Sequence, residues 1–134
     1  MIKVEWKLGL TFEATSETGA TLTLASHDDG ISAMTPVEAL LASAAACSGM
    51  DVISILEKKR QTVTGYRVEI EHERGPEGTF PRPIVGVTIR HIVEGDNLDP
   101  VAVARAVELS DEKYCTVLAT LRIPVAVKSI WETN

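Results

Sequence analysis

The string Thr35-Pro36-Val37-Glu38, followed by ALLASAAACSGMDVISILEKK, constrains this chain more than any other feature. Thr35 suits an N-cap, and Pro36 fits the first helical position, where its missing N–H costs nothing. Glu38 stands where its carboxylate can reach back to the cap, which completes a capping box. The helix so opened runs to about Lys59, where Lys58, Lys59 and Arg60 set cations at the negative end of the helix dipole. Its middle turns are apolar or small on nearly all faces, a pattern that predicts burial all round. Gly49 lies inside it at a cost of roughly 1 kcal/mol against alanine. With Ala44, Ala45 and Ala46 close by, that glycine predicts a close helix–helix contact. A chain of 134 residues forms one domain, 1–134, with little material to surround such a helix, so a homodimer is expected.

The rest of the chain reads as sheet with one further helix. Residues 2–7, 10–15 and 20–26 alternate apolar and polar side chains, the period of half-buried strands. Ser16-Glu17-Thr18-Gly19 makes a hairpin connection, and His27-Asp28-Asp29-Gly30 ends the sheet with turn chemistry. Two more strands are predicted over 63–73 and 84–94, joined by a Gly/Pro-rich loop from Gly75 to Pro83. Asp99-Pro100 starts a second helix whose apolar face is read as Val101, Ala104 and Val107, with Leu109 or Tyr114. A helical turn after Cys115, a break at Pro124 and a strand from Val125 to Trp131 complete the layout. The order is βββ-α-ββ-α-β, an α+β fold with a long central helix packed between sheets.

Composition excludes several classes of function. A formal net charge of −6 offers no basic face for nucleic acid. Aromatic residues are 4% of the chain, so the core is aliphatic. Met1-Ile2-Lys3-Val4-Glu5-Trp6 reads as a strand rather than a signal peptide, and Ala39–Ala46 is too short to span a bilayer. A cytoplasmic protein is expected, with no membrane partner. In that compartment paired cysteines serve catalysis or transient chemistry more often than structure.

Two cysteines are present, Cys47 inside the small-residue helical run and Cys115 at the end of AVARAVELSDEKYC. Each alone is most simply a small buried residue. Together they are either two inert hydrophobes or a peroxidatic and resolving pair. His27, His72 and His91 share no metal-ligand spacing with each other or with the cysteines. His72 and His91 are read as pointing to solvent. Arg67, Arg74, Arg82 and Arg90 are read as solvated charges. Asp28-Asp29-Gly30 lacks the remaining ligands of a calcium loop.

The string TPVEALLASAAACSGMDVISILEKKRQTV, with VARAVELSDEKYCTVLATLR far downstream, resembles the OsmC/Ohr family of osmotically inducible and organic-hydroperoxide-resistance proteins. The resemblance covers most of the chain and implies an intertwined homodimer with two sites at the subunit interface. It implies that Cys47 attacks an organic hydroperoxide and that Cys115 resolves the product. It further implies an external dithiol, lipoyl-type in parts of the family, and no bound cofactor. The chemistry requires a thiolate, since an unperturbed thiol titrates near ~8.5, and a second thiol to condense with the sulfenic acid. Relatives place an arginine and a glutamate near the reactive cysteine. Here no arginine precedes Arg60, and Val37 directly follows Pro36 in the glutamate's place. Glu38, one residue later and read first as a capping residue, and Asp51, one turn beyond Cys47, are the supporting candidates. The alternative is a non-peroxidatic member that binds a small apolar or thiol ligand in the interface cleft. A hot-dog-like thioesterase using Asp51 is a third reading.

Overall fold

The computed structural model describes residues 1–133, which form two compact units divided between Ser43 and Ala44. In the first unit β1 (Lys3–Leu8), β2 (Thr11–Thr15) and β3 (Thr21–Ala25) make an antiparallel meander in that order. Trp6 pairs with Phe12 and Phe12 with Leu24, so large apolar residues stack across all three strands. The predicted hairpin closes with Gly19 N–H on the Ser16 carbonyl at 3.0 Å, and Gly19 adopts φ +86°, a conformation suited to glycine. After β3 a single 3₁₀ turn, His27–Asp29, holds Asp29 against the β1–β2 connection. Its Oδ2 accepts from Leu10 N–H and Thr11 Oγ1, both at 2.8 Å. The Asp28-Asp29-Gly30 run is thus a latch on the sheet.

Helix α1 spans Pro36–Lys58. The capping box forms as expected: Thr35 N–H donates to Glu38 Oε2 at 2.8 Å, and Glu38 N–H donates to Thr35 Oγ1 at 3.2 Å. At the other end Arg60 turns to φ +56° and closes the helix. By length and composition this helix could cross a membrane, more than the short Ala39–Ala46 run suggested. It is instead a core helix. Burial all round is not what forms within one chain: Ala44, Ala45, Ser48, Val52 and Leu56 are buried, whereas Met50 is 69% exposed. One face is therefore covered and the opposite one is open.

In the second unit β4 (Thr62–Arg74) and β5 (Ile84–Asp96) form a long antiparallel hairpin. Val52 and Leu56 of α1 sit against Val63, Tyr66 and Val93 of this hairpin. The tight approach predicted from Gly49 is made to strand β4, not to another helix. A Cβ built there would lie 3.3 Å from Val68 Cγ2. Helix α2 (Pro100–Leu109) begins at its predicted cap, with Val101 N–H on Asp99 Oδ1 at 2.9 Å. Its inward face differs from the predicted one. Val101 is 74% exposed, while Ala102, Ala106 and Ser110 are buried. These three small residues recur every fourth position and let the backbone come close, which larger side chains at the neighbouring positions would prevent.

One wide turn of π-helix, Ser110–Tyr114, leads into the short helix α3 (Thr116–Leu121). The predicted last strand does not form. Beyond Ile123 the described residues carry no regular structure, and Val125, Val127, Ile130 and Trp131 are exposed. A strand exists only through a paired neighbour, and this segment has none among the described residues.

Candidate functional site

Cys47 and Cys115, remote in sequence, meet in the second unit. Cys115 belongs to a buried cluster with Ala44 and Leu118, and Cys47 packs against that cluster with Ile70, Ile89 and Val117. Both are free thiols. Cys47 reaches the cluster because it stands three residues after Ala44 on α1, on an adjoining strip of the helix. Cys115 arrives by a different local route. Its N–H donates to the Ser110 carbonyl at 2.9 Å, the hydrogen bond that closes the π turn. Its sulfur caps α3, accepting from Leu118 N–H at 3.4 Å.

These surroundings act on the Cys115 thiol in opposite senses. Burial pushes its pKa up, and the adjacent Cys47 thiol pushes the same way, while the N–H groups of Leu118 and Val117 pull it down. Burial prevails, so Cys115 keeps its proton above the usual thiol range.

The supporting candidates are placed differently. Glu38 is engaged by the capping box and lies 3.7 Å from His27; the Thr35 N–H holds its carboxyl below the usual range. Asp51 does not stand alone beside Cys47. Its Oδ2 accepts from Ser110 Oγ at 2.9 Å, the residue that opens the turn carrying Cys115. It thereby belongs to a polar chain that the sequence reading missed. Ser110 Oγ lies 3.1 Å from Ser48 Oγ, Ser48 Oγ lies 3.4 Å from His91 Nε2, and His91 Nδ1 lies 2.6 Å from the Tyr66 hydroxyl.

His91 therefore points inward, against the expectation of a solvent-facing side chain. Val87, Ile89, His91 and Val93 occupy one row of β5, and Ile89 and Val93 both pack on core clusters. Burial pushes the His91 pKa down, opposed by the neighbouring Asp111 carboxylate. Tyr66, desolvated beside it, is pushed up to about 12. A signal for Ser48 was also available: it lies four residues after Ala44 and four before Val52, so a polar residue holds a core-facing position.

A cleft of about 240 Å³ opens on this side, walled by Val87, Ile89, Val107 and Leu118 and edged by Ser48, His91, Asp111 and Arg122. Arg122 is bound to Asp111 twice, at 2.8 Å to the carbonyl and 2.5 Å to Oδ1. Arg67 and Arg90 are surface charges as expected, pairing with Glu69, whereas Arg74 donates to the Arg82 carbonyl and the half-buried Arg82 to the Gly75 carbonyl, which ties the β4–β5 loop together. Among the described residues no group of three or more His, Cys, Asp or Glu could hold a metal ion.

The model of the OsmC-like protein family matches residues 26–129, a stretch that holds the capped helix α1 and both cysteines. The chain belongs to that family. It is 40% identical to protein YhfA of Escherichia coli K12 over 130 residues, covering 97% of this chain and 95% of that protein. Among solved structures it resembles a hypothetical protein from Aquifex aeolicus VF5, at 30% identity and TM-score 0.76, over 91% of this chain and 86% of that one. It also shares the fold of the organic hydroperoxide resistance protein OhrB of Bacillus subtilis, at 20% identity and TM-score 0.62, over 91% and 90% of the two chains.

Proposed function

We propose that this protein is a cytoplasmic, homodimeric thiol peroxidase that reduces organic hydroperoxides. The observation that carries the reading is the meeting of Cys47 and Cys115 in one apolar cluster, both as free thiols. Cys47 attacks the terminal peroxide oxygen as a thiolate. The O–O bond breaks, the alkoxide takes a proton to leave as an alcohol, and Cys47 becomes a sulfenic acid. The Cys115 sulfur then displaces water from that sulfenic acid and forms a disulfide. An external dithiol reduces the disulfide by exchange and leaves as its own cyclic disulfide. The aliphatic side chains around the thiols suit an organic rather than a purely polar peroxide. The open face of α1 and the exposed apolar residues of β1 and of the C-terminal segment support assembly as a dimer.

The test is a turnover assay with cumene hydroperoxide and dihydrolipoamide. Turnover in the wild type that is lost in Cys47→Ser is the expected result. Cys115→Ser is expected to accumulate a sulfenic acid that dimedone traps. No turnover, or turnover indifferent to Cys47→Ser, would overturn the assignment. The small aliphatic cleft edged by His91 favours a second reading, in which the protein binds a small apolar or thiol ligand without reducing peroxide. Saturable binding of such a ligand by a protein inert in the peroxide assay is the result that selects it.

A further inference from the structure

Ser110 Oγ lies 2.9 Å from Asp51 Oδ2 and 3.4 Å from the Ser48 carbonyl, and with its proton on the nearer carboxylate the polar chain beside the cysteines has one consistent direction. The Asp51 carboxylate accepts, so Ser110 donates to it. The Ser110 oxygen is then free to accept from the Ser48 hydroxyl, and the Ser48 oxygen to accept from His91 Nε2. His91 is thereby fixed as the Nε2–H tautomer, which leaves Nδ1 to accept the Tyr66 proton. Ser48 and Ser110 are 1% and 0% exposed, so no water competes for these bonds. Every member is satisfied, and no buried side-chain polar atom among the described residues lacks a partner.

The chain ends on the segment that delivers Cys115. Ser110 is bonded to Ser48 and Asp51 of α1, the helix that also carries Cys47. Its carbonyl holds the Cys115 N–H. One residue later, Asp111 is clamped by Arg122 at the end of α3. The stretch from Ser110 to Arg122 is thus tied to α1 at its start and to itself across Cys115.

We propose that Ser110, held by Ser48 and through it by His91 and Tyr66, is a positioning residue that fixes Cys115 opposite Cys47 for disulfide formation. This rests on the reading of the two cysteines as a working pair, but it concerns closure of the disulfide, not attack on peroxide. The groups facing His91 are Tyr66 of β4, Ser48 of α1, Asp111 of the π turn and Arg122 after α3. Protonation of His91 puts a hydrogen on Nδ1, which then donates to the Tyr66 oxygen; both ring nitrogens now carry hydrogen, so the Ser48 end is made whether or not Tyr66 is there to fix the tautomer.

Diamide closure of the reduced full-length protein tests this without any peroxide. Two thiols give up two electrons and two protons as the S–S bond forms, and the N=N bond of diamide takes them up to become a hydrazine. Ser110→Ala is expected to close at least about tenfold more slowly than the wild type, and Ser110→Thr, which keeps the hydroxyl, within about threefold of it. Tyr66→Phe removes only the terminal hydroxyl and keeps the result decisive if Ser110→Ala does not fold. It is expected to close about threefold more slowly at pH 7.5 and to match the wild type at a pH where His91 is protonated. A purely structural role predicts no such convergence. Wild-type closure rates in Ser110→Ala, or a pH-independent deficit in Tyr66→Phe, would overturn the proposal. Absence of peroxide turnover alone bears on the proposed function and leaves this result standing.

Discussion

Ser48 and Ser110 come from helices 62 positions apart in sequence and meet hydroxyl to hydroxyl at 3.1 Å, both fully shielded from water. Removing the Ser48 hydroxyl breaks its bonds to Ser110 and His91 while Ser110 keeps its bond to Asp51, a loss of about 1 kcal/mol. Ser48→Ala is therefore expected to destabilise by that amount in urea unfolding. The double variant Ser48→Ala/Ser110→Ala is expected to cost less than the sum of the singles, because each single already breaks the shared bond. Strict additivity would show that the two hydroxyls are not coupled.

The Cys115 thiol offers a direct readout of its burial. Burial pushes its pKa above the ordinary thiol value, so the folded state favours the protonated form. The associated stability is present below that value and is lost as pH rises through the higher folded pKa. In the native protein iodoacetamide is expected to modify Cys115 more slowly at pH 8 than it modifies the same residue in urea, as peptide mapping would show. Equal rates would place the thiol at the surface.

His91 titrates in the opposite sense. Its folded pKa is depressed below 6.5, so the unfolded chain binds more protons as the solution is acidified. Stability is full above about pH 6.5, falls as pH drops through that value, and levels off below the folded pKa. The melting temperature of His91→Gln, measured from pH 5 to pH 8, is expected to lose this step. A step that persists in the variant would assign it to other groups.

Glu38 can be separated from any part in the chemistry by two substitutions. Glutamine serves in a capping box and alanine does not, so Glu38→Ala is expected to cost about 1 kcal/mol and Glu38→Gln much less. If capping is its whole role, Glu38→Gln also keeps the activity proposed above. A stable Glu38→Gln protein without turnover would instead give the carboxylate a share in the reaction.

Gly49 sets two effects of similar size against each other. Alanine gains about 1 kcal/mol of helix propensity, yet its Cβ would stand 3.3 Å from Val68 Cγ2. Gly49→Ala is expected to leave stability nearly unchanged. Gly49→Val, with two further methyl groups against β4, is expected to cost about 1–3 kcal/mol. A stabilised valine variant would mean that the helix and strand are farther apart than described.

Most of the elements, with their caps and turns, are written locally in the chain, because caps, turns and alternation depend on residues within a few positions of one another. Thr35 with Glu38, Asp99 with Pro100 and the Ser16–Gly19 hairpin form as their local chemistry dictates. The two strings around Cys47 and Cys115 also carried the family. The row containing His91 was legible too, once counted from Val87 and Ile89. Packing, by contrast, set Gly49 against a strand, turned the small residues of α2 inward, and left Val125–Trp131 without a pairing partner among the described residues. It alone brought Cys47 to Cys115 and threaded Tyr66, His91, Ser48, Ser110 and Asp51 into one hydrogen-bonded chain. Those contacts join residues on four different elements. Each depends on how the hairpin, α1 and the π turn pack, and no short-range pattern encodes that packing.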